Sequence, residues 1–142
     1  MSTLVIYYSF TGNTERLAKK FADDESAELV RLKDKTKTGK AKAFLVGCPM
    51  AIAGKSWPVQ PLKANVFSYD RVVLMAPVWA GNVPPAVNSL WDMLPAGTAL
   101  EVRLVSGSGK SECRERLEKN LKAKGCRLVG LKDIQANDDD DD

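Results

Sequence analysis

LVIYYSFTGNT, Leu4 to Thr14, carries an apolar run straight into a tight hydroxyl-rich turn that can open a helix. Leu4 to Tyr8 are continuously apolar rather than alternating, which predicts a strand buried on both faces at the centre of a parallel sheet. In the loop that follows, Ser9, Thr11 and Thr14 bring hydroxyls, Gly12 lets the backbone turn and approach a ligand closely, and Asn13 tolerates turn geometry or caps a helix. The next helix is expected from Thr14 to Asp23. Its first N–H groups have no intrahelical partner and point, with the positive end of the dipole, at the loop. An anion suits that position. An ordinary turn into a capped helix is the competing reading.

The loop lacks the Gly-Lys-Ser/Thr that closes a Walker A motif, and Gly12 stands alone where the dinucleotide fingerprint needs three glycines. No Lys or Arg lies between Ser9 and Thr14. These features favour a terminal phosphate monoester held by neutral donors over a triphosphate with its magnesium.

At 142 residues the chain reads as one domain over residues 1–136 with a disordered acidic tail at 137–142. The net charge is +3, of which Asp138 to Asp142 supply −5, so the body of the chain carries +8. Three cysteines, Cys48, Cys113 and Cys126, at wide spacings and no histidine give neither a metal cluster nor a disulfide framework, and they remove every Ser-His or Cys-His catalytic arrangement. No catalytic residue and no metal ligand is expected. No apolar run reaches membrane-spanning length and no signal segment opens the chain, so the expectation is a cytoplasmic protein that binds neither membrane nor nucleic acid.

Along the chain, Leu17, Ala18 and Phe21 give the first helix a buried face, and Ala27 to Leu32 make a short edge strand. Six positive charges from Arg31 to Lys42 against the single Asp34 suit an acidic partner, a cofactor phosphate or a solvated loop. A brief helix near Ala41 to Val46, or a little beyond, leads to a loop in which Trp57 is either a core anchor or an aromatic wall for a ligand. Arg71 to Ala76 is the third strand. After it comes Pro77-Val78-Trp79-Ala80-Gly81-Asn82-Val83-Pro84-Pro85, whose prolines stiffen a loop with little bulk beside an exposed Trp79. A helix from Pro85 to about Leu94, a strand Ala99 to Ser106, the turn Gly107-Ser108-Gly109, a helix Glu112 to Lys124 capped by Ser111 and stopped by Gly125, and an edge strand Arg127 to Ile134 complete the pattern. Five strands alternating with helices imply an α/β doubly wound parallel sheet. With strand order 2-1-3-4-5, the loops Ser9 to Thr14, Pro77 to Val83 and Ser106 to Lys110 converge at the carboxyl edge.

YYSFTGNTERLA resembles the phosphate-loop signature of flavodoxins, and YDRVVLMAPVWAGNVPPAV resembles the segment that carries their flavin-facing loop, in the manner of the shorter flavodoxin-like proteins. The resemblance spans roughly Ser2 to Gly130. It implies that Ser9, Thr11, Gly12, Asn13 and Thr14 hold the phosphate of FMN. It implies further that Val78, Trp79, Ala80 and Gly81 line the isoalloxazine and that Ser106, Gly107, Ser108 and Gly109 close its other edge. Phe10, Pro77 and Asn82 complete the cofactor-binding set, and a carbonyl around Ala80-Gly81 is placed to accept a hydrogen bond from the reduced ring. Two departures stand out. SGSGK has no aromatic residue to sandwich the ring, and no helix is expected after the fifth strand.

A missing last helix predicts an uncovered apolar sheet face beside the first helix, and with it a homodimer or a second polypeptide, the 42–66 segment being the internal substitute. The function implied is an FMN-binding flavodoxin-like electron carrier served by a redox protein or an NAD(P)H-linked reductase. An NAD(P)H-dependent flavin or quinone reductase is the alternative, and a cofactor-less interaction module the third.

Overall fold

Strand β1 (Thr3–Tyr7) is buried at every position, as its unbroken apolar run requires. The structure, a computed structural model, describes residues 2–37 and 39–136, and the tail expected to be disordered lies outside the described residues. β1 is joined by β2 (Glu28–Arg31), β3 (Arg71–Pro77), β4 (Ala99–Ser106) and β5 (Arg127–Gln135) in a five-stranded sheet of order β2-β1-β3-β4-β5, with every neighbouring pair parallel. This is the doubly wound sheet expected from the sequence. Winding reverses between β1 and β3, and their carboxyl ends open the crevice that takes ligands in such sheets.

Helix α1 (Asn13–Asp24) covers one face. The other carries a continuous stretch made of α2 (Lys40–Lys42), a π-helical turn (Ala43–Gly47) and α3 (Cys48–Ala53), then α4 (Pro85–Asn88) with a 3-10 extension (Ser89–Met93), and α5 (Arg114–Ala123). The brief helix expected to end near Val46 or a little beyond runs on to Ala53, with Gly47 and Cys48 keeping helical backbone angles and the π turn, in which the Cys48 N–H reaches back to Ala43 O, placed just before Pro49. Ser111 does not cap α5. Cys113 holds the cap position, and the Ser111 hydroxyl donates to Asp133 Oδ1 at 2.7 Å.

Alternation along the strands divides the core. Leu4, Ile6, Leu74, Leu100, Val102 and Leu104 pack with Ala51, Trp57, Leu90, Leu117 and Leu121 on the many-helix face. Val5, Tyr7, Val73 and Met75 pack with Leu17, Ala18, Phe21 and Ala22 of α1 on the other. The bare apolar surface expected beside α1 is not there. Register pairs Val73 with Glu101, Met75 with Arg103 and Arg103 with Lys132, so this face turns from apolar to charged as it passes from β3 to β5. Arg71 grips the Glu101 carboxylate with Nε at 2.5 Å and Nη2 at 2.9 Å, and the Arg103 guanidinium lies 4.2 Å from the centre of the Phe21 ring. A charged surface tolerates water, so no further helix is needed there. No helix follows β5 among the described residues.

Exposed apolar side chains lie instead on the stretch from α2 to α3, where Phe44 is 75% and Leu45 70% exposed, with Val46 and Ile52 also open. The cysteines are free, Cys113 and Cys126 buried and Cys48 half-buried, as packed thiols should be.

Arg71 holds the Glu101 carboxyl below the usual carboxylate range, chiefly by its hydrogen bonds. A depressed folded-state value contributes stability above the unfolded value that is lost as pH falls through the folded one. Glu101→Gln is therefore expected to cost about 1 kcal/mol at neutral pH. The gap from wild type should close as pH falls below the ordinary carboxylate range, measured by urea unfolding as a function of pH.

Candidate functional site

The phosphate-type loop is organised by Ser9. This buried hydroxyl accepts the backbone N–H of Gly12 at 3.1 Å and of Glu15 at 3.2 Å, bracing the turn from inside. Gly12, not Asn13, is the cap residue of α1, with φ +103°, a backbone region that glycine alone enters cheaply. The first N–H to bond within the helix is that of Arg16, to Gly12 O at 3.0 Å. The Asn13 and Thr14 N–H groups precede it and have no helical carbonyl to reach. A methyl group added at Gly12 would meet nothing within 4 Å, so the space over these donors is open.

The Glu15 carboxylate, one residue further on, would oppose an anion. It accepts from Tyr7 Oη at 3.0 Å and Arg31 Nη1 at 3.3 Å, and the first of these holds it below the ordinary carboxylate range. Arg31 Nη2 also donates to Ser9 O at 3.3 Å. The loop without a basic residue of its own thus receives a cation from the end of β2. Sequence reading missed this pairing, although the parallel register that sets Tyr7 beside Arg31 was the signal for it.

The second loop corrects the expected exposure of Trp79. Its ring is 8% exposed and stands edge-on to Tyr8, Phe10 and Trp57, at centroid distances of 6.1, 5.7 and 5.8 Å. A methyl group added at Gly47 would lie 2.5 Å from it. Trp79 is thus a core residue and not an outward plate, and Trp57 takes the core role too, its Nε1–H donating to Asp34 Oδ1 at 2.9 Å. Asp34 Oδ2 accepts from Tyr8 Oη at 2.8 Å, and burial followed by this carboxylate pushes the Tyr8 phenol up, so it remains a donor. What the loop presents outward is Ala80, at φ +52°, and Gly81, at φ +83°, in a two-residue turn closed by Trp79 N to Asn82 O at 2.7 Å and Asn82 N to Trp79 O at 3.0 Å. Both carbonyls of the pair are already engaged. Asn82 Nδ2 donates to Ala80 O at 3.2 Å and Glu112 N to Gly81 O at 2.7 Å. Pro77 and Val78 lead in half-buried, with Val78 N bonded to Val105 O at 3.2 Å. Arg116, which the sequence did not single out, ties Asn82 Oδ1 (3.2 Å) to Ala51 O (3.0 Å).

In the third loop Ser106 Oγ accepts from Gly109 N at 2.9 Å and Lys110 N at 3.2 Å, while Gln135 Nε2 donates to Gly107 O at 3.2 Å. Its hydroxyl is spent inside the turn, and Ser108 is left exposed. The phosphate-type loop and the Trp79 loop are joined by the Phe10–Trp79 contact, and the Trp79 loop meets the segment after Gly109 through Glu112.

Two clefts near Phe67 and Pro95 lie at the amino ends of β3 and β4, away from this crevice. A larger one, about 480 Å³, flanks the phosphate-type loop on the β2 side.

A family model described as NADPH-dependent FMN reductase matches residues 1–127. Among solved structures the chain is similar to a flavoprotein in complex with FMN from Lactobacillus acidophilus NCFM, at 21% identity over 92% of this chain and 91% of that one, TM-score 0.75. It is similar to oxidised flavodoxin 2 from Bacillus cereus, at 20% identity over 99% and 90%, TM-score 0.55. It is also similar to the two-electron reduced flavodoxin of Megasphaera elsdenii, at 17% identity over 96% and 88%, TM-score 0.57. These likenesses establish a flavodoxin-like fold. No curated protein matches by sequence.

Trp79→Ala is expected to cost the protein without any ligand about 3 to 5 kcal/mol, the range for an emptied core aromatic site. Gly47→Ala should also destabilise, because the clash with a ring fixed on three sides outweighs the roughly 1 kcal/mol that alanine gains in a helix. Thermal melts check both, and a Trp79→Ala protein as stable as wild type would return Trp79 to the surface.

Proposed function

We propose a function from the premise that the chain belongs to the NADPH-dependent FMN reductase family: it binds FMN without a covalent bond and transfers electrons that it takes from NADPH. The observation that carries the reading is a carboxyl-edge crevice framed by three loops in a chain whose first 127 residues match that family. FMN supplies the redox chemistry when bound. The residues present fit it: the Asn13 and Thr14 N–H groups have no helical carbonyl to reach, Gly12 keeps the space clear, Arg31 pairs with Glu15, and Thr11 and Thr14 would add neutral hydroxyl donors to a phosphate held there. Ser9 and Ser106 hold the loop shapes, while Pro77, Val78, Ala80, Gly81, Asn82, Gly107, Ser108 and Gly109 border the ring with backbone and small side chains.

Direct reduction by NADPH is favoured over a pure carrier by one observation. Trp79 is turned inward and residues 106–110 carry no aromatic side chain, so neither loop places a ring over an aromatic ligand. Neither activity calls for a catalytic side chain or a metal.

The purified protein should be yellow. Thr11→Ala and Thr14→Ala should each weaken FMN binding about fivefold, the equivalent of roughly 1 kcal/mol per lost contact. Gly12→Val, which adds a strained backbone, should weaken it more. Under argon NADPH should bleach the colour without a second protein. Absence of FMN binding in a titration defeats the reading, while binding with bleaching only after a reductase is added makes the protein a carrier.

The homodimer expected from the sequence is proposed on a different surface, the exposed Phe44, Leu45, Val46 and Ile52. Sedimentation at micromolar concentration should give a dimer that Phe44→Ser with Leu45→Ser dissociates. A monomeric wild type overturns it.

A further inference from the structure

The 480 Å³ cleft on the β2 side of the phosphate-type loop is lined by Phe10, Lys33, Lys35, Lys37 and Gln60 among others, but by none of Gly12, Asn13 or Thr14. It adjoins the phosphate-type loop, sharing Ser9 and Phe10 with it, and stops short of the α1 donors. The three lysines stand at alternate positions just past the end of β2, and none has an ion-pair partner among the described residues. The other charged groups that line it are engaged elsewhere: Arg31 with Glu15 and Ser9 O, and the Asp34 carboxylate with the Tyr8 hydroxyl and the Trp57 indole. Three like charges on one wall repel one another, and a multiply charged anion relieves that repulsion. Phe10, half-buried, adds an apolar ring to the same cleft.

β2, whose end leads into the lysines, lies two strands or about 10 Å from β3, the strand that leads to the Ala80-Gly81 turn. A dinucleotide whose nicotinamide reaches that turn is long enough to bring its adenosine end to the lysines. On the reading that this chain takes electrons from NADPH, we propose that the cleft receives the adenosine 2′-phosphate of NADPH, and that Lys33, Lys35 and Lys37 make the chain prefer NADPH to NADH. Phe10, which lines the same cleft, gives the adenine an apolar contact. Because the lysines are flexible and open to solvent, the preference weakens as salt rises.

The test uses Lys33→Gln, Lys35→Gln and Lys37→Gln together, with Lys122→Gln on α5 as a control. On the FMN-loaded protein the triple variant should raise the KM for NADPH about tenfold or more, as loss of charge-assisted contacts to one phosphate requires. The KM for NADH and the affinity for FMN should hold. Calorimetric titration with adenosine 2′,5′-bisphosphate, on loaded and on flavin-free protein, should show binding that the triple variant loses, the control keeps and 5′-AMP does not match. An unchanged NADPH-to-NADH preference in the triple variant, or no bisphosphate binding by the wild type, overturns the proposal. So does a variant that keeps the preference but loses affinity for an acidic redox protein, which would make the lysines a protein-docking surface. The flavin-free titration reads the cleft without the cofactor, so a failure to bind FMN and a failure of this cleft are separate results.

Discussion

Three rings standing edge-on to Trp79 hold the functional end of this molecule in one piece. Tyr8 comes from just past the end of β1, Phe10 from the phosphate-type loop and Trp57 from the segment after α3, so a single indole fixes all of them relative to β3. Edge-to-face geometry contributes roughly 0.5 to 1.5 kcal/mol per pair beyond the area buried, and it is directional. Shifting the indole would move the loop that frames one side of the crevice and the loop that frames the other. The Asp34 carboxylate extends the arrangement, since it accepts from both Tyr8 and Trp57.

Much of the fold was legible because parallel strands announce themselves as apolar runs. The strands expected at Leu4 to Tyr8 and Arg71 to Ala76 are found within one residue of those bounds, as Thr3–Tyr7 and Arg71–Pro77, β4 spans Ala99–Ser106 as expected, and the strand order follows. Helix ends were less legible, because local bonds compete for them. The hydroxyl of Ser111 is drawn to Asp133, and the hydroxyl of Ser9 takes donors that a cap residue would have taken. Trp79 was misjudged for another reason. Small neighbours in the sequence suggest an open site, but burial is decided by rings that arrive from residues 8, 10 and 57, and no local pattern carries that information.

The charged half of the sheet was visible in the sequence and still misread. In ALEVRLVS the residues Glu101 and Arg103 alternate with Leu100, Val102 and Leu104, a pattern that assigns one face to water and the other to the core. A sheet built this way needs helices on both faces only where both are apolar, over β1 and β3. That is how α1 alone suffices on its side.

Ser9 has a consequence for how the protein meets a ligand. Its hydroxyl already fills two of the backbone donors at the head of α1, so the turn keeps its curvature with nothing bound. The entropy of ordering that turn is settled when the chain folds rather than when an anion arrives. A receptor preset in this way can empty and refill without its scaffold loosening, and occupancy then follows the concentration of the ligand while the amount of folded protein stays the same.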